Sequence, residues 1–598
     1  MNRASAAARL GIESDYVDAR GRQRTVAPEV IEKLVLALRE GAGDAALAPA
    51  LPATTFRQAW QGPAGKWWLI ATQLYGIRSE RNWGHGDFSD LLALIELAAR
   101  VGAAGVGINP LHALRETTPH EPSPYAPNSR LFLNPLYIDL DAIPEFAGCR
   151  SADMTAEIAR LRQSELVDYD GVAALKQRAL RAAHRVFRRD GAADRRAAFE
   201  EFRQAHHPTL ARFAAFEVLR RRRAEPWWEW PTEWRTPDDT AIAHLRDDAG
   251  GELEFHEYVQ WIADQQLMAC RDRAHALGLP VGLYVDIAVG VRADSFDAWN
   301  APDAIVRRLA IGAPPDLLNT IGQDWGLAGF SGVGLQASGF APFREMLRAS
   351  MRYAGAIRLD HVLGLKRLYF IPAGLPPDQG AYVRMPFEQL LEVTAEESTA
   401  NRCIVVGEDL GTVPEGFREQ VAQFGLWSYQ VMLFERDSRG EFRPPEHYAE
   451  CALVTFSTHD LPTFAGWLTQ HDLRMREAVN LPSGETGEER AQAVAALQEA
   501  LRRQGFAACD FPSIAGYLAA SPTRLLAIAL DDVLDMRDQA NVPGTTSEHP
   551  NWRRKLPLAL ERIRDDPRLG EIARIAAERG RVARAAASVA EQSEAIGR

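Results

Sequence analysis

Short runs of apolar and β-branched residues, each closing on glycine or on an acid, recur along most of this chain. The first is Lys66–Ile77 (KWWLIATQLYGI). Gly105–Leu111 (GVGINPL), Gly278–Ala288 (GLPVGLYVDIA), Ala354–Leu365 (AGAIRLDHVLGL), Cys403–Gly411 (CIVVGEDLG), Ala452–Thr463 (ALVTFSTHDLPT) and Leu525–Met536 (LLAIALDDVLDM) follow. Runs this short and this uniformly apolar suit strands covered on both faces, as in a parallel sheet. Between them lie segments of helical period, among them Leu91–Val101, capped by Asp87 or Ser89, and Leu253–Ala269. The alternation predicts an α/β chain folded as a (β/α)8 TIM barrel that begins at Lys66. With 598 residues the chain exceeds the roughly 250 of a plain barrel, so insertions are expected.

The segments outside this alternation suggest where the insertions lie. Residues 1–45 read as helical, with a polar turn at Asp18–Gln23 and Pro28 opening a short amphipathic helix. Ala46–Thr55 reads as a Pro/Ala linker. The expected division is a small helical lobe with its linker over 1–59 and a catalytic barrel over 60–598, carrying a helical insert at about 151–250. Pro226–Trp234 holds four tryptophans in nine residues. Such a cluster can stack sugar rings or anchor the insert to the barrel, and the anchor is the preferred reading. Two polar loops, 116–135 with Tyr125 and 312–330 with Asp316, Gln323 and Trp325, are long enough to be binding loops, and Trp325 reads as an exposed loop residue. Gln539–Pro557 reads as a further mouth loop and Glu571–Gly597 as an amphipathic helix.

Composition narrows the class. Apolar residues make up 46% and charged residues 25%, the range of ordinary globular proteins. A net charge of −12 argues against a nucleic-acid partner, and Arg220–Arg223 reads as a solvated helix face. Five scattered cysteines without metal spacing read as reduced, mostly buried thiols. No apolar run reaches the roughly 18 residues of a membrane span. The first residues lack the apolar core of a secretory signal. The expected compartment is the cytoplasm. Neither cofactor nor metal is called for, and the oligomeric state is not legible.

Three of the apolar runs end in acids: Asp360, Glu408 and Asp460. In a barrel the carboxyl ends of the strands form the active face. Glu408 follows Asp360 by 48 residues and Asp460 follows Glu408 by 52, which is one strand-helix unit of about 30 residues with a long loop, or two lean ones. Two carboxyl groups flanking a glycosidic bond can cleave it. Arg358, two residues before Asp360, shares its strand face and should keep that carboxylate ionised, as a nucleophile requires, although an Arg–Asp pair can also simply close a buried strand. Glu408, partly desolvated, suits the acid/base. Asp460 suits a transition-state holder, and His459 beside it can donate to a sugar hydroxyl.

The segments IRLDH with VLGL, VGEDLGTVP and THDLPT resemble the signatures of the 4-alpha-glucanotransferases, also called amylomaltases or disproportionating enzymes, in the alpha-amylase clan. So do Asn82–Phe88, Ser123–Leu140, Gly312–Gly326 and Asn541–Pro557, in order over roughly residues 60–560. The resemblance implies a retaining mechanism without cofactor, acting on malto-oligosaccharides and alpha-1,4-glucans. It places the nucleophile on Asp360, the acid/base on Glu408 and the third carboxylate on Asp460. Sugar contacts fall on Tyr125, Asp286, Trp325, Arg358 and His459. Long bacterial members carry a β-rich region before the barrel, whereas here only about 60 residues precede it. The alternatives are an alpha-glucan hydrolase using the same acids and a non-catalytic glucan-binding protein.

Overall fold

The computed structural model describes residues 3–18, 21–42, 45–48, 57–315, 321–411 and 413–583. Eight parallel strands close a barrel: β1 (Trp67–Thr72), β2 (Gly105–Ile108), β3 (Gly282–Ile287), β4 (Ala356–Leu359), β5 (Ile404–Gly407), β6 (Trp427–Val431), β7 (Ala452–Thr455) and β8 (Leu525–Ala529). Each pairs with the next in sequence, and β8 returns to β1. This is the (β/α)8 architecture expected from the apolar runs. The strands are buried almost throughout, and Trp67, Leu69, Tyr284, Val406, Trp427 and Leu453 fill the interior as a packed cluster. Close packing needs small residues at the strand crossings. A Cβ on Gly105 would stand 2.3 Å from the Gly282 carbonyl oxygen, so no side chain fits there.

Two spacings left open by the acids are resolved. One unit separates β4 from β5, but β6 lies between β5 and β7, so the second interval holds two lean units. The strand β6 (WSYQV) escapes the apolar pattern because Ser428, Tyr429 and Gln430 interrupt it.

Four expectations need correction. The N-terminal residues are not all helical: Asp15–Val17 pairs antiparallel with Gln23–Thr25, between helices Arg3–Arg9 and Pro28–Ala42. Strands of three exposed or half-exposed residues carry no alternation to read. Most of the described residues of the segment Ile311–Phe330 are strand rather than loop. It contributes to strands Ile305–Ala313 and Gln323–Phe330, the centre of a five-stranded side sheet, so Trp325 is half-buried on a strand. Gly312 marks close backbone approach rather than a turn, since a Cβ there would lie 2.1 Å from the Gln323 carbonyl oxygen. The arginines at 220–223 are not a bare solvated face. Arg220 is buried against Asp294 at 2.6 Å, and Arg221 reaches Glu116 at 2.7 Å. Of the cysteines, only Cys270 and Cys403 are buried, while Cys451 is exposed. Asp316, Thr412, most of the Pro/Ala linker and the end of the last helical segment lie outside the described residues; that segment's helix runs over Pro567–Glu578.

Helices Ala152–Gln163, Tyr169–Asp190, Ala193–Ala205 and Thr209–Arg222 fill the interval between β2 and β3, and the long helix Glu252–Ala276 returns the chain to the barrel beside helix Phe88–Arg100. Asp87 caps the latter through the Ser89 and Asp90 amides. Two of the four tryptophans, Trp227 and Trp230, are buried and Trp228 and Trp234 are half-buried, as an anchor requires. Trp230 is fully enclosed by Phe216 and Trp299, and Trp299 Nε1 donates to the Trp234 carbonyl at 2.8 Å. No helix among the described residues is long and apolar enough to cross a membrane. An anchor differs measurably from a sugar platform: Trp230→Ala should cost about 3–5 kcal/mol of stability in denaturant unfolding while leaving the KM for maltotriose unchanged at low temperature. A raised KM with unchanged stability would return the cluster to sugar binding.

Candidate active site

The site is assembled by register. Arg358 on β4 pairs with Asp286 on β3, and Leu359 pairs with Gly407 on β5. The ladder continues past the strand ends: the Asp360 amide donates to the Ile287 carbonyl at 3.2 Å and the Glu408 amide to the Leu359 carbonyl at 3.0 Å. Asp360 and Glu408 therefore stand at the same level on neighbouring strands. Arg358 Nη1 donates to both oxygens of Asp286, at 2.9 and 2.8 Å, and lies 2.9 Å from Asp360 Oδ1. Its guanidinium also sits 5.5 Å over the Tyr429 ring of β6.

Asp460 completes the mouth from beyond β7. Asn541 Nδ2 donates to its Oδ1 at 2.6 Å, and His459 Nε2 lies 3.4 Å from its Oδ2. Tyr125 arrives on the loop after β2. Its ring stacks on His459 with centroids 4.5 Å apart, and its hydroxyl donates to Asp286 Oδ2 at 2.6 Å. The other ring nitrogen of His459, Nδ1, is 3.2 Å from that hydroxyl. With an acceptor at each nitrogen, the imidazole is placed to be doubly protonated.

Burial and charge set the protonation states. Burial pushes the Asp360 carboxyl up, and Asp286 and Glu408 add to this; Arg358 opposes them, leaving it at about 6. The arginine keeps this carboxylate mostly ionised at neutral pH, as the two-residue spacing predicts, but does not bring it down to the ordinary aspartate value. Burial also raises Glu408, against the pull of Arg358 and of two backbone amides. His459 would be lowered by burial, but Asp460 more than offsets this and its pKa is raised. For Asp460, burial is outweighed by His459 and Asn541, which hold it below the usual carboxylate range.

A cleft of about 2130 Å³ runs over this mouth, well above the roughly 300–1,000 Å³ of small-molecule sites. Tyr125, Trp325, Arg358, Asp360, Glu408, His459 and Asp460 all line it. Asp286 is not on the wall. It is buried behind, with both oxygens taken by Arg358 and one also by Tyr125. The sequence reading missed His361, Asn541 and Trp552, which also line the cleft. Asn541 and Trp552 lie in the loop singled out at the mouth, but nothing in their spacing marks them as partners of residues some 80 positions earlier.

The fold is a (β/α)8 barrel, and carboxyl groups on neighbouring strand ends at its mouth are an arrangement that can act on glycosidic bonds. A family model described as 4-alpha-glucanotransferase matches residues 72–560. The 4-alpha-glucanotransferase of Haemophilus influenzae is 37% identical over 534 residues, covering 83% of this chain and 76% of the relative. The crystal structure of amylomaltase from Corynebacterium glutamicum superposes with a TM-score of 0.81 at 26% identity, over 96% of this chain and 99% of that one. The amylomaltase from Streptococcus agalactiae, solved in complex with acarbose, shares the fold with a TM-score of 0.73 at 20% identity, over 86% of this chain and all of that one. The chain belongs to the 4-alpha-glucanotransferase family, whose members transfer glucan segments.

A raised carboxyl that works in its ionised form leaves activity intact above its pKa and loses it below. The acid limb of kcat/KM should therefore lie near pH 6. Arg358→Gln removes the larger of the two cations that pull Asp360 down, the one 2.9 Å away, and leaves His459, so this limb should move to higher pH. A pH–rate profile checks both; an unmoved limb would contradict the coupling.

Proposed function

We propose that this chain is a retaining 4-alpha-glucanotransferase that moves alpha-1,4-glucan segments between malto-oligosaccharides through a covalent glycosyl-enzyme on Asp360. One observation carries the reading: Asp360 and Glu408 follow register-matched ends of adjacent parallel strands. Neighbouring strands run about 4.8 Å apart. A retaining pair of carboxyls needs a separation of roughly 5–5.5 Å, against 6.5 Å or more for inversion. Asp360 attacks the anomeric carbon. Glu408 protonates the leaving oxygen and then deprotonates the 4-hydroxyl of the incoming sugar. Asp460 and His459, paired across 3.4 Å, hold hydroxyls of the distorted ring. Arg358 tempers the Asp360 charge and, with Tyr125, keeps Asp286 fixed behind it.

Transfer must outrun hydrolysis. A long cleft supports this, because an acceptor held in place reaches the intermediate at a high effective molarity. The loop carrying Tyr125 and the strand carrying Trp325 stand on the cleft wall, where they can exclude water around a bound chain. The acarbose bound by the Streptococcus agalactiae protein is consistent with an oligosaccharide-shaped site. We read residues 1–59 as a small lobe at the rim, since Val17 and Asp18 reach the cleft edge, and the remainder as the catalytic barrel. The cytoplasm is the proposed compartment.

Incubation with maltotriose should give a ladder of longer products with release of glucose or maltose; monotonic shortening would mean a hydrolase. Asp360→Asn should abolish turnover. Glu408→Gln should lower turnover of maltotriose by about 10²–10⁴-fold yet spare the first step with alpha-maltosyl fluoride, glycosylation with loss of fluoride, because that leaving group needs no proton. Full turnover of maltotriose by Glu408→Gln would remove the acid/base from Glu408.

A further inference from the structure

The residue after the proposed nucleophile has an unusual backbone. His361 adopts φ 49°, in the left-handed region that side-chain-bearing residues rarely enter. The chain turns there from β4 into the short helical turn Val362–Leu365, and the His361 carbonyl accepts from the Gly364 amide at 2.8 Å. The turn also aims two amides at one neighbour. The His361 amide donates to Glu408 Oε2 at 2.8 Å, and the Val362 amide donates to the Glu408 carbonyl at 2.9 Å. Packing locks the arrangement, because a Cβ on Gly407 would stand 2.9 Å from both methyls of Val362. From the other side the Leu410 amide donates to Glu408 Oε1 at 2.9 Å. The intervening Asp409 is tied to the Tyr429 amide and to Arg418. Each carboxyl oxygen of Glu408 is thus held by one backbone amide and keeps a second lone pair for a proton or a sugar oxygen.

We propose that His361 is a positioning residue for Glu408: its left-handed backbone, rather than its ring, aims the amide that fixes the acid/base carboxyl beside Asp360. This rests on the reading of Glu408 as the acid/base. The ring has a separate place, edge-on to Trp325 at 5.1 Å on the cleft wall, where it can affect sugar binding. The two contributions separate by backbone tolerance. Glycine and asparagine accept a positive φ, alanine accepts it poorly, and β-branched valine rejects it. An amide donor favours the charged carboxylate, so losing it should raise the Glu408 pKa and move the alkaline limb of kcat to higher pH.

The test is a series in the full-length enzyme: His361→Gly, His361→Asn, His361→Ala and His361→Val, assayed on maltotriose and on alpha-maltosyl fluoride across pH. With the fluoride as reference, kcat on maltotriose should rank Gly and Asn above Ala above Val, with Val about 10- to 100-fold below wild type. The alkaline limb should stay at the wild-type position in Gly and Asn and move up in Ala and Val. Loss of the ring should appear in KM for all four. Should Val fail to fold, the Gly–Ala comparison decides. A limb unmoved throughout, or Gly and Asn falling as far as Val, overturns the inference. The Glu408→Gln variant keeps the two readings apart: if it turns over maltotriose normally, the acid/base assignment fails; if it does not and the His361 series is flat, only the positioning role fails.

Discussion

A single buried guanidinium holds the mouth of this barrel together. Arg358 Nη1 touches both oxygens of Asp286 and one of Asp360, and the guanidinium lies over Tyr429, so one cation ties β3, β4 and β6. Four carboxylates, Asp286, Asp360, Glu408 and Asp460, meet around it with His459 as the other nearby cation. Without Arg358 the buried Asp286 would keep only the Tyr125 hydroxyl as a partner, and breaking a buried ion pair typically costs about 3–5 kcal/mol. The arginine does not make Asp360 an ordinary carboxylate. It holds a strongly desolvated acid at about 6, still mostly ionised at neutral pH, and leaves it less solvated than a surface aspartate. A nucleophile in that state has less hydration to shed when it attacks.

The barrel supplies the second constraint. Because β4 and β5 are adjacent and Leu359 faces Gly407, the residues that follow them are brought level with no contribution from loops. Loops then add what the strands lack. Asn541, from the stretch after β8, holds Asp460, and Tyr125, from the stretch after β2, stacks on His459. Rigid strand ends thus carry the proposed bond-making groups, while the surrounding loops shape the long cleft. That division suits a polymeric substrate whose reacting bond must be fixed while its outer sugars vary.

Much of this was legible in the sequence. Parallel strands buried on both faces read as plain apolar runs, so seven of the eight barrel strands stand out, and the acids that end three of them mark the mouth. What was hidden has physical causes. The polar residues of β6 face neighbours that only the closed barrel provides, so WSYQV carries no strand signal. Gly312 in the side sheet permits two strands to touch, and in one dimension that looks the same as a turn. Asp286 stands near the end of an apolar run like the other acids, but its role behind Arg358 depends on a pairing across 72 residues. The protonation of Asp360 depends on how much burial outweighs a neighbouring arginine, which two-residue spacing cannot show. His361 carries its interest in a backbone angle, for which a histidine gives no cue.

The central claim is that Asp360 becomes covalently glycosylated with Glu408 beside it. The most direct measurement is intact-protein and peptide mass spectrometry of Glu408→Gln mixed with alpha-maltosyl fluoride, in which the intermediate forms without needing the acid and breaks down slowly without the base. A maltosyl adduct should appear on the peptide containing Asp360 and disappear on adding a malto-oligosaccharide acceptor. Turnover of the fluoride with no adduct, and products of inverted anomeric configuration, would contradict the mechanism.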